Sequence, residues 1–297
     1  MKISVLSPVH NEERHIEEMI DSVRAQSHRD WELLFVDDGS IDRTRELVCA
    51  ATEADPRIRL VGHGDHGGTV RALNRAYAAA TGQVVVLLAG DDVVPVDSLR
   101  HRVEAFVGVP ETEPAVAFFK LRTFSANPRW DGMLLPRGGA ASRSGGSITM
   151  TRPLADLVFP IDESLAKEDI WLGHAAEALA SRVVELPHVV LHYRLHEGNS
   201  HQRAEPFAKM NESTRRRHQA YRALLESSRL DLPATSRRLL EQLWRAEESR
   251  YAGRTVRLLL GPDLPLVDRL ALASMSDPLL YRIRSRYFKV FSGRRGR

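Results

Sequence analysis

The chain has 297 residues, 43% hydrophobic and 27% charged, enough to build a large core and too apolar for bulk disorder. Its single cysteine, Cys49, excludes an intrachain disulfide and any multi-thiolate metal centre. The net charge is only +3, although arginine outnumbers lysine 37 to 5, and no basic stripe interleaves with stacking aromatics in the first half, so nucleic acid is not an expected partner.

The opening "MKISVLSPVHNEER" has too short an apolar run for a signal peptide, and no stretch approaches the ~20 apolar residues of a membrane span. The expectation is a cytoplasmic protein, soluble or peripheral at the inner membrane face. "ISVLSPV" (3–9) predicts a strand. Ile16, Met19, Ile20 and Val23 recur at helical spacing and predict an amphipathic helix over 12–26. "WELLFV" (31–36) predicts a second strand, 42–54 a helix capped by Ser40 or Asp42, and "IRLV" (58–61) a third strand. "GHGDHGG" (62–68) reads as a loop, Val70, Leu73 and Tyr77 mark a third helix, and "VVVLLA" (84–89) is a fourth strand. Strands alternating with helices predict a parallel sheet covered on both faces, with all strand carboxyl ends on one edge.

Beyond residue 100 the pattern loosens. "VAFFKLRTF" (116–124) predicts a strand, 125–147 a long Gly/Pro/Ser/Arg loop, 168–180 a helix, and "VVELPHVVLHYRLH" (183–196) a pair of strands. From about 203 the texture turns to an Arg/Glu/Leu/Ala helix through 260, broken by Pro262 and Pro265, with two shorter helices after it. Residues 279–297 carry seven basic residues and no acid. Within 279–291, Leu280, Ile283, Tyr287 and Val290 fall on one helical face flanked by Arg282, Arg286 and Lys289, the pattern of a helix that packs on the rest of the chain or rests on anionic lipid.

Two acidic pairs follow predicted strands: Asp37 and Asp38 after the second, Asp91 and Asp92 after the fourth. Both pairs then lie on the edge where open α/β sheets bind ligands. Acids there can cap helix amino termini. They can also hold a hard divalent cation, Mn²⁺ or Mg²⁺, shared with phosphate oxygens, which would neutralise a departing diphosphate. Neither Gly-x4-Gly-Lys-Ser/Thr nor Gly-x-Gly-x-x-Gly occurs, and "GHGDHGG" is only a weak glycine cluster.

The segments "SVLSPVHNEERHIEEMIDSVRAQSHRDWELLFVDDGSIDRT", "GGTVRALNRAYAAATGQVVVLLAGDD" and "DESLAKEDIWL" closely resemble family 2 glycosyltransferases over about residues 2–200. The resemblance implies an α/β GT-A fold, a Rossmann-like mixed but mostly parallel sheet flanked by helices, with a C-terminal helical extension. With the change of texture near 203 it divides the chain into a catalytic domain at 1–202, with a nucleotide-sugar half (1–100) and an acceptor half (101–202), and a helical region at 203–297, a candidate membrane-surface or homodimer contact. It implies an inverting transfer of one sugar from a nucleoside-diphosphate sugar donor to an acceptor hydroxyl on a glycan, lipid-linked or small molecule, in bacterial glycan, glycolipid or glycosylated-metabolite synthesis, with Mn²⁺ or Mg²⁺ as cofactor. By position, Pro8, His10, Glu12, Asp38, Arg71, Asn74 and Asp91 would contact the donor nucleotide. Asp92, with Asp91 and His196, would ligate the metal. Asp169 in "KEDIW" would be the general base, with Glu168 as the alternative. Arg194 could pair with phosphate. The family often carries tyrosine at the position of His10 and a third acid at the position of Ala89, and the Gln-x-x-Arg-Trp pattern of processive synthases is absent, which points to addition of a single sugar. Two other readings stand beside it: a non-catalytic nucleotide-sugar-binding module, and a metal-dependent nucleotidyltransferase, which would need a glycine-rich, lysine-bearing loop that "SPVHNEE" lacks.

Overall fold

Seven-residue apolar strands next to amphipathic helices leave the backbone little choice but a covered parallel sheet. The computed structural model, which describes residues 1–128, 130–139, 141–195, 206–261 and 264–286, builds that sheet. Strands β1 (Ile3–Val9), β2 (Trp31–Asp37), β3 (Ile58–His63) and β4 (Val84–Leu87) run parallel in the order β3-β2-β1-β4. All seven residues of β2 and all four of β4 are buried, as strands covered on both faces require. Helices α1 (Ile16–Arg24), α2 (Thr44–Ala54) and α3 (Thr69–Ala78) connect them, and α1 buries Ile16, Met19, Ile20 and Val23, the predicted stripe. In α3 Val70 and Leu73 are buried, while Tyr77 stacks on Phe159 with ring centroids 4.3 Å apart.

The second half of the sheet departs from the expectation. After α4 (Ser98–Glu104), β5 (Ala115–Phe124) does not pair with β4. A strand that the sequence reading lacks, β7 (Ile148–Thr151), lies antiparallel between them. The buried Arg102 of α4 fastens it: its guanidinium donates to the carbonyls of Ile148 (3.1 Å) and Gly146 (2.6 Å) and to the Thr149 hydroxyl (2.8 Å). Burial pushes the Arg102 pKa down to about 9. The 125–147 segment is not structureless either, since it contains the short strand β6 (Leu134–Leu135), paired with β5, and a 3₁₀ turn at Gly145–Ser147.

Helices α5 (Arg152–Val158) and α6 (Asp169–Leu179) follow, and then one strand, β8 (Arg182–Arg194), parallel to β5. The expected strand pair at 183–196 is therefore a single strand. Its register against β5 slips between Phe118 and Leu121, and the extra residues of β8 bulge at Leu186, Pro187 and His188. Pro187 has no N–H for the ladder, and a bulge is where a strand tolerates that. The result is a mixed, mostly parallel eight-stranded sheet flanked by helices.

The chain divides into two compact units, Met1–His196 and Glu197–Arg294. The second is helical: α7 (Phe207–Glu226), α8 (Ala234–Tyr251), α9 (Thr255–Leu260), α10 (Leu266–Ala273) and α11 (Pro278–Arg286). The single helix expected up to 260 is interrupted twice. Pro233 starts α8 and disfavours helical backbone in the residue before it, and Gly253, at φ +69°, ends α8 before α9 begins. Buried Glu247 and Arg250 form a bidentate pair (2.6 and 2.7 Å). His218 meets Glu247 at 2.7 Å, and Arg250 donates to the Asn211 side chain at 2.6 Å, which ties α7 to α8. On α11 Leu280 is half-buried and Ile283 exposed, while Tyr287, Lys289 and Val290 lie outside the described residues.

Candidate functional site

Four strand ends supply the site. At the end of β2, Asp38 is buried, its N–H bonded to the Val9 carbonyl of β1 at 2.9 Å. Its carboxylate is cradled by the "GHGDHGG" loop: Gly67 N–H donates to Oδ1 at 2.7 Å, Gly68 N–H to Oδ2 at 2.9 Å, and His66 Nδ1 lies 3.0 Å from Oδ2. The glycines make this approach possible. A Cβ on Gly39 would stand 2.8 Å from the His66 nitrogen, and one on Gly67 would stand 2.9 Å from Arg71 Cδ. The glycine cluster that reads as a plain turn in the sequence is thus a carboxylate cradle, with the exposed Arg71 side chain laid against it. His10 Nδ1 approaches the Asp38 carbonyl at 2.9 Å, and its ring sits 4.3 Å from that of His66.

At the end of β1, Pro8 pairs in register with Val36, Asn11 takes a left-handed backbone (φ +57°), and Glu12 follows with its N–H bonded to the Thr44 hydroxyl at 2.7 Å. The Glu12 carboxyl is pushed up to about 8, first by burial and then by the charges of Asp91 and Asp42, with Arg194 opposing them. At the end of β4, Gly90 gives Glu12 its place: a Cβ there would lie 2.9 Å from both Glu12 Cγ and Val9 Cγ1. Asp91 and Asp92 come next. Asp92 is almost wholly buried, and its carboxyl is raised well above the usual carboxylate range by burial and by Asp91.

The end of β8 reaches the same place. Val93 and His192 form an antiparallel bridge (3.2 and 2.8 Å) that clasps the Asp91–Asp92 turn. The Arg194 N–H donates to Asp92 Oδ1 at 2.8 Å, and its Nε donates to the Asp91 carbonyl at 2.6 Å. The guanidinium also pairs with Glu18 and covers the Phe124 ring at 4.5 Å. In this arrangement the Arg194 side chain shapes the acidic turn.

Glu168 and Asp169 open α6. Glu168 Oε1 lies 3.4 Å from the point a Cβ on Gly145 would occupy, and Leu87, the last residue of β4, lies 3.6 Å from that point, so this carboxylate lodges near the carboxyl end of β4. Asp169 is half-buried and accepts the Ile170 N–H at 2.9 Å. Asn74 also has a task within the chain. Its amide donates to the Ile161 carbonyl and accepts the Ile161 N–H, both at 2.8 Å, and so braces the chain that leads into α6.

Among the described residues, no group of three His, Cys, Asp or Glu side chains is spaced to hold a metal unaided, and His196 lies outside them. The donor chemistry still fits a hard cation. The charge of Asp91 raises the proton affinity of both Glu12 and Asp92, an excess of negative charge that a divalent ion relieves. Ions such as Mg²⁺ commonly take one or two carboxylates and complete their shell with substrate phosphates and water.

The sequence model of glycosyl transferase family 2 matches residues 4–131. A protein of Nostoc sp. named as an uncharacterized glycosyltransferase is 30% identical over 225 residues, covering 69% of this chain and 68% of that one. Among solved structures, S. aureus TarS in complex with UDP-GlcNAc superposes with a TM-score of 0.63 at 18% identity, over 99% of this chain and 89% of that one. The mannosyltransferase PcManGT from Pyrobaculum calidifontis, in complex with GDP-Man and Mn²⁺, gives a TM-score of 0.63 at 19% identity, over 97% of this chain and 83% of that one. At those identities the likeness to the two solved structures speaks for the fold. No described helix is long and apolar enough to cross a membrane.

Proposed function

The chain belongs to glycosyl transferase family 2, and on that premise we propose that it moves one sugar from a nucleoside-diphosphate sugar to an acceptor hydroxyl, with inversion at the anomeric carbon, in bacterial glycan, glycolipid or glycosylated-metabolite synthesis. The observation that carries this reading is the gathering of acids from separate elements, Asp38, Asp91, Asp92 and Glu168, at the carboxyl ends of parallel strands. Ligands of open α/β sheets bind there.

Asp169, with Glu168 as the alternative, takes the proton of the acceptor hydroxyl as its oxygen attacks the anomeric carbon. The new carbon–oxygen bond forms on the face opposite the nucleoside diphosphate, which leaves with the bonding electron pair, and one displacement inverts the centre. Asp92 and Asp91 would hold Mn²⁺ or Mg²⁺, which when bound offsets the diphosphate charge. Arg194 holds the turn carrying both acids in place through its bonds to Asp92 Oδ1 and the Asp91 carbonyl. Pro8, His10, Glu12, Asp38, Arg71, Asn74 and Asp91 contact the donor nucleotide. The donor class is supported by fold neighbours solved with UDP-GlcNAc and with GDP-Man.

Two variants test the assignment. Asp169→Asn should keep donor-dependent thermal stabilisation and lose ~10²–10⁴-fold in nucleoside-diphosphate release, the range of a missing general base. Asp92→Ala should lose the metal-dependent stabilisation by donor. Wild-type turnover in Asp169→Asn would move the base elsewhere. Absence of any stabilisation of the wild type by UDP, GDP or dTDP with Mn²⁺ or Mg²⁺ would overturn the donor class.

A further inference from the structure

Each of the last three described helices of the second unit leaves several apolar side chains in water. On α9, Val256 and Leu260 are 68% and 76% exposed and stand one turn apart. On α10, Leu266, Val267 and Leu270 are each at least half exposed, again at helical spacing. On α11, Leu279 and Ile283 repeat the pattern at 62% and 49%. Single exposed apolar residues are ordinary on a protein surface, but a stripe on each of three consecutive helices is not. The helices are held together as one piece: Arg269 of α10 donates to the carbonyls of Leu259 (2.9 Å) and Gly261 (2.8 Å), and Arg284 of α11 donates to the Ser274 hydroxyl (2.9 Å).

The exposed charge around these stripes is mainly basic, with Asp268 on α10 only half-exposed. Arg254 at the start of α9, Arg257 within it, and Arg282 and Arg286 on α11 are exposed. Asp277 is engaged in bonds to the Leu279 and Leu280 N–H groups at the start of α11. The sequence from 278 to the end adds basic residues and no acid.

We infer that α9, α10 and α11 form a docking surface for anionic phospholipid bilayer, with their leucine, isoleucine and valine side chains entering the headgroup–acyl boundary and the arginines meeting lipid phosphates. A basic amphipathic surface binds anionic lipid by that combination of buried apolar area and electrostatic attraction. A second copy of the chain is the poorer occupant, because facing arginines of the same surface would oppose each other. The inference does not depend on the transferase reading, since it concerns a different unit of the chain and a different measurement.

The test is co-sedimentation of the full chain with vesicles. Wild type should pellet with vesicles of phosphatidylglycerol and phosphatidylcholine, stay in solution with phosphatidylcholine alone, and be released by high salt. Each basic residue near an anionic surface is worth about 1 kcal/mol, so Arg282→Gln with Arg286→Gln should lower partitioning roughly 30-fold. Val256→Ser, Leu260→Ser and Leu279→Ser together should lower it as well, with an unchanged thermal melt because all three positions face solvent. Failure of wild type to bind the anionic vesicles would overturn the proposal, as would equal binding to neutral ones or full binding by both variants. A concentration-dependent dimer in light scattering that the serine variant abolishes would assign the surface to a second copy and overturn it too.

Discussion

Replacing Glu12 by glutamine isolates the electrostatic cost of the acidic cluster. In the folded chain the Glu12 carboxyl keeps its proton up to about pH 8, because burial and the charges of Asp91 and Asp42 oppose ionisation. In the unfolded chain it ionises near the ordinary 4.5. Between those values the folded state binds more protons, so the contribution of Glu12 is fully present below pH 4.5 and is lost as pH rises through about 8. Each pKa unit is worth about 1.4 kcal/mol, which sets a ceiling on the order of 5 kcal/mol for a group sealed from water. Glu12 is half-buried, and solvent screening reduces the expected difference to ~1–2 kcal/mol. For a unit of this size that corresponds to roughly 2–8 °C in melting temperature. The assay is calorimetric melting of wild type and Glu12→Gln with a chelator present, from pH 5 to pH 9. Wild type should fall relative to the variant across that interval, and the variant should be the more stable at pH 9. Parallel curves for the two proteins would refute the account of the cluster.

Gly90→Ala should cost about 1–3 kcal/mol in urea unfolding, because its Cβ would lie 2.9 Å from Glu12 Cγ and Val9 Cγ1. Gly64→Ala, whose Cβ would meet nothing within 4 Å, should stay within about 0.5 kcal/mol of wild type. In the helical unit, Glu247→Ala leaves Arg250 buried without its carboxylate and should destabilise that unit by about 3–5 kcal/mol, read by circular dichroism during denaturation. Changing Glu247 and Arg250 together to methionine should cost less than Glu247→Ala alone, since no charge is then stranded.

The first hundred residues fold much as their pattern predicts. Each strand there lies between helices whose stripes, such as Ile16–Met19–Ile20–Val23, are set by local spacing. Local signals fail where a strand exists only because a gap must be filled. The segment "ITMT" is too short to announce β7, and what makes it a strand is the space between β4 and β5 and the Arg102 guanidinium reaching across from α4. Pro187 predicts a break between two strands, yet the neighbouring β5 offers a ladder that a bulge can rejoin.

The site divides along the same line. Asp38 and Asp92 can be placed from sequence alone, since the carboxyl ends of parallel strands share an edge whatever the rest of the chain does. Sequence spacing holds no trace of the Gly67 and Gly68 N–H groups on Asp38, of Asn74 turned to Ile161, or of the Arg194 N–H on Asp92. Periodicity records which face of a segment avoids water, and that is a property of neighbours along the chain. A hydrogen bond between residues 92 and 194 depends on where two distant segments end once the sheet has closed, and only the assembled fold decides that.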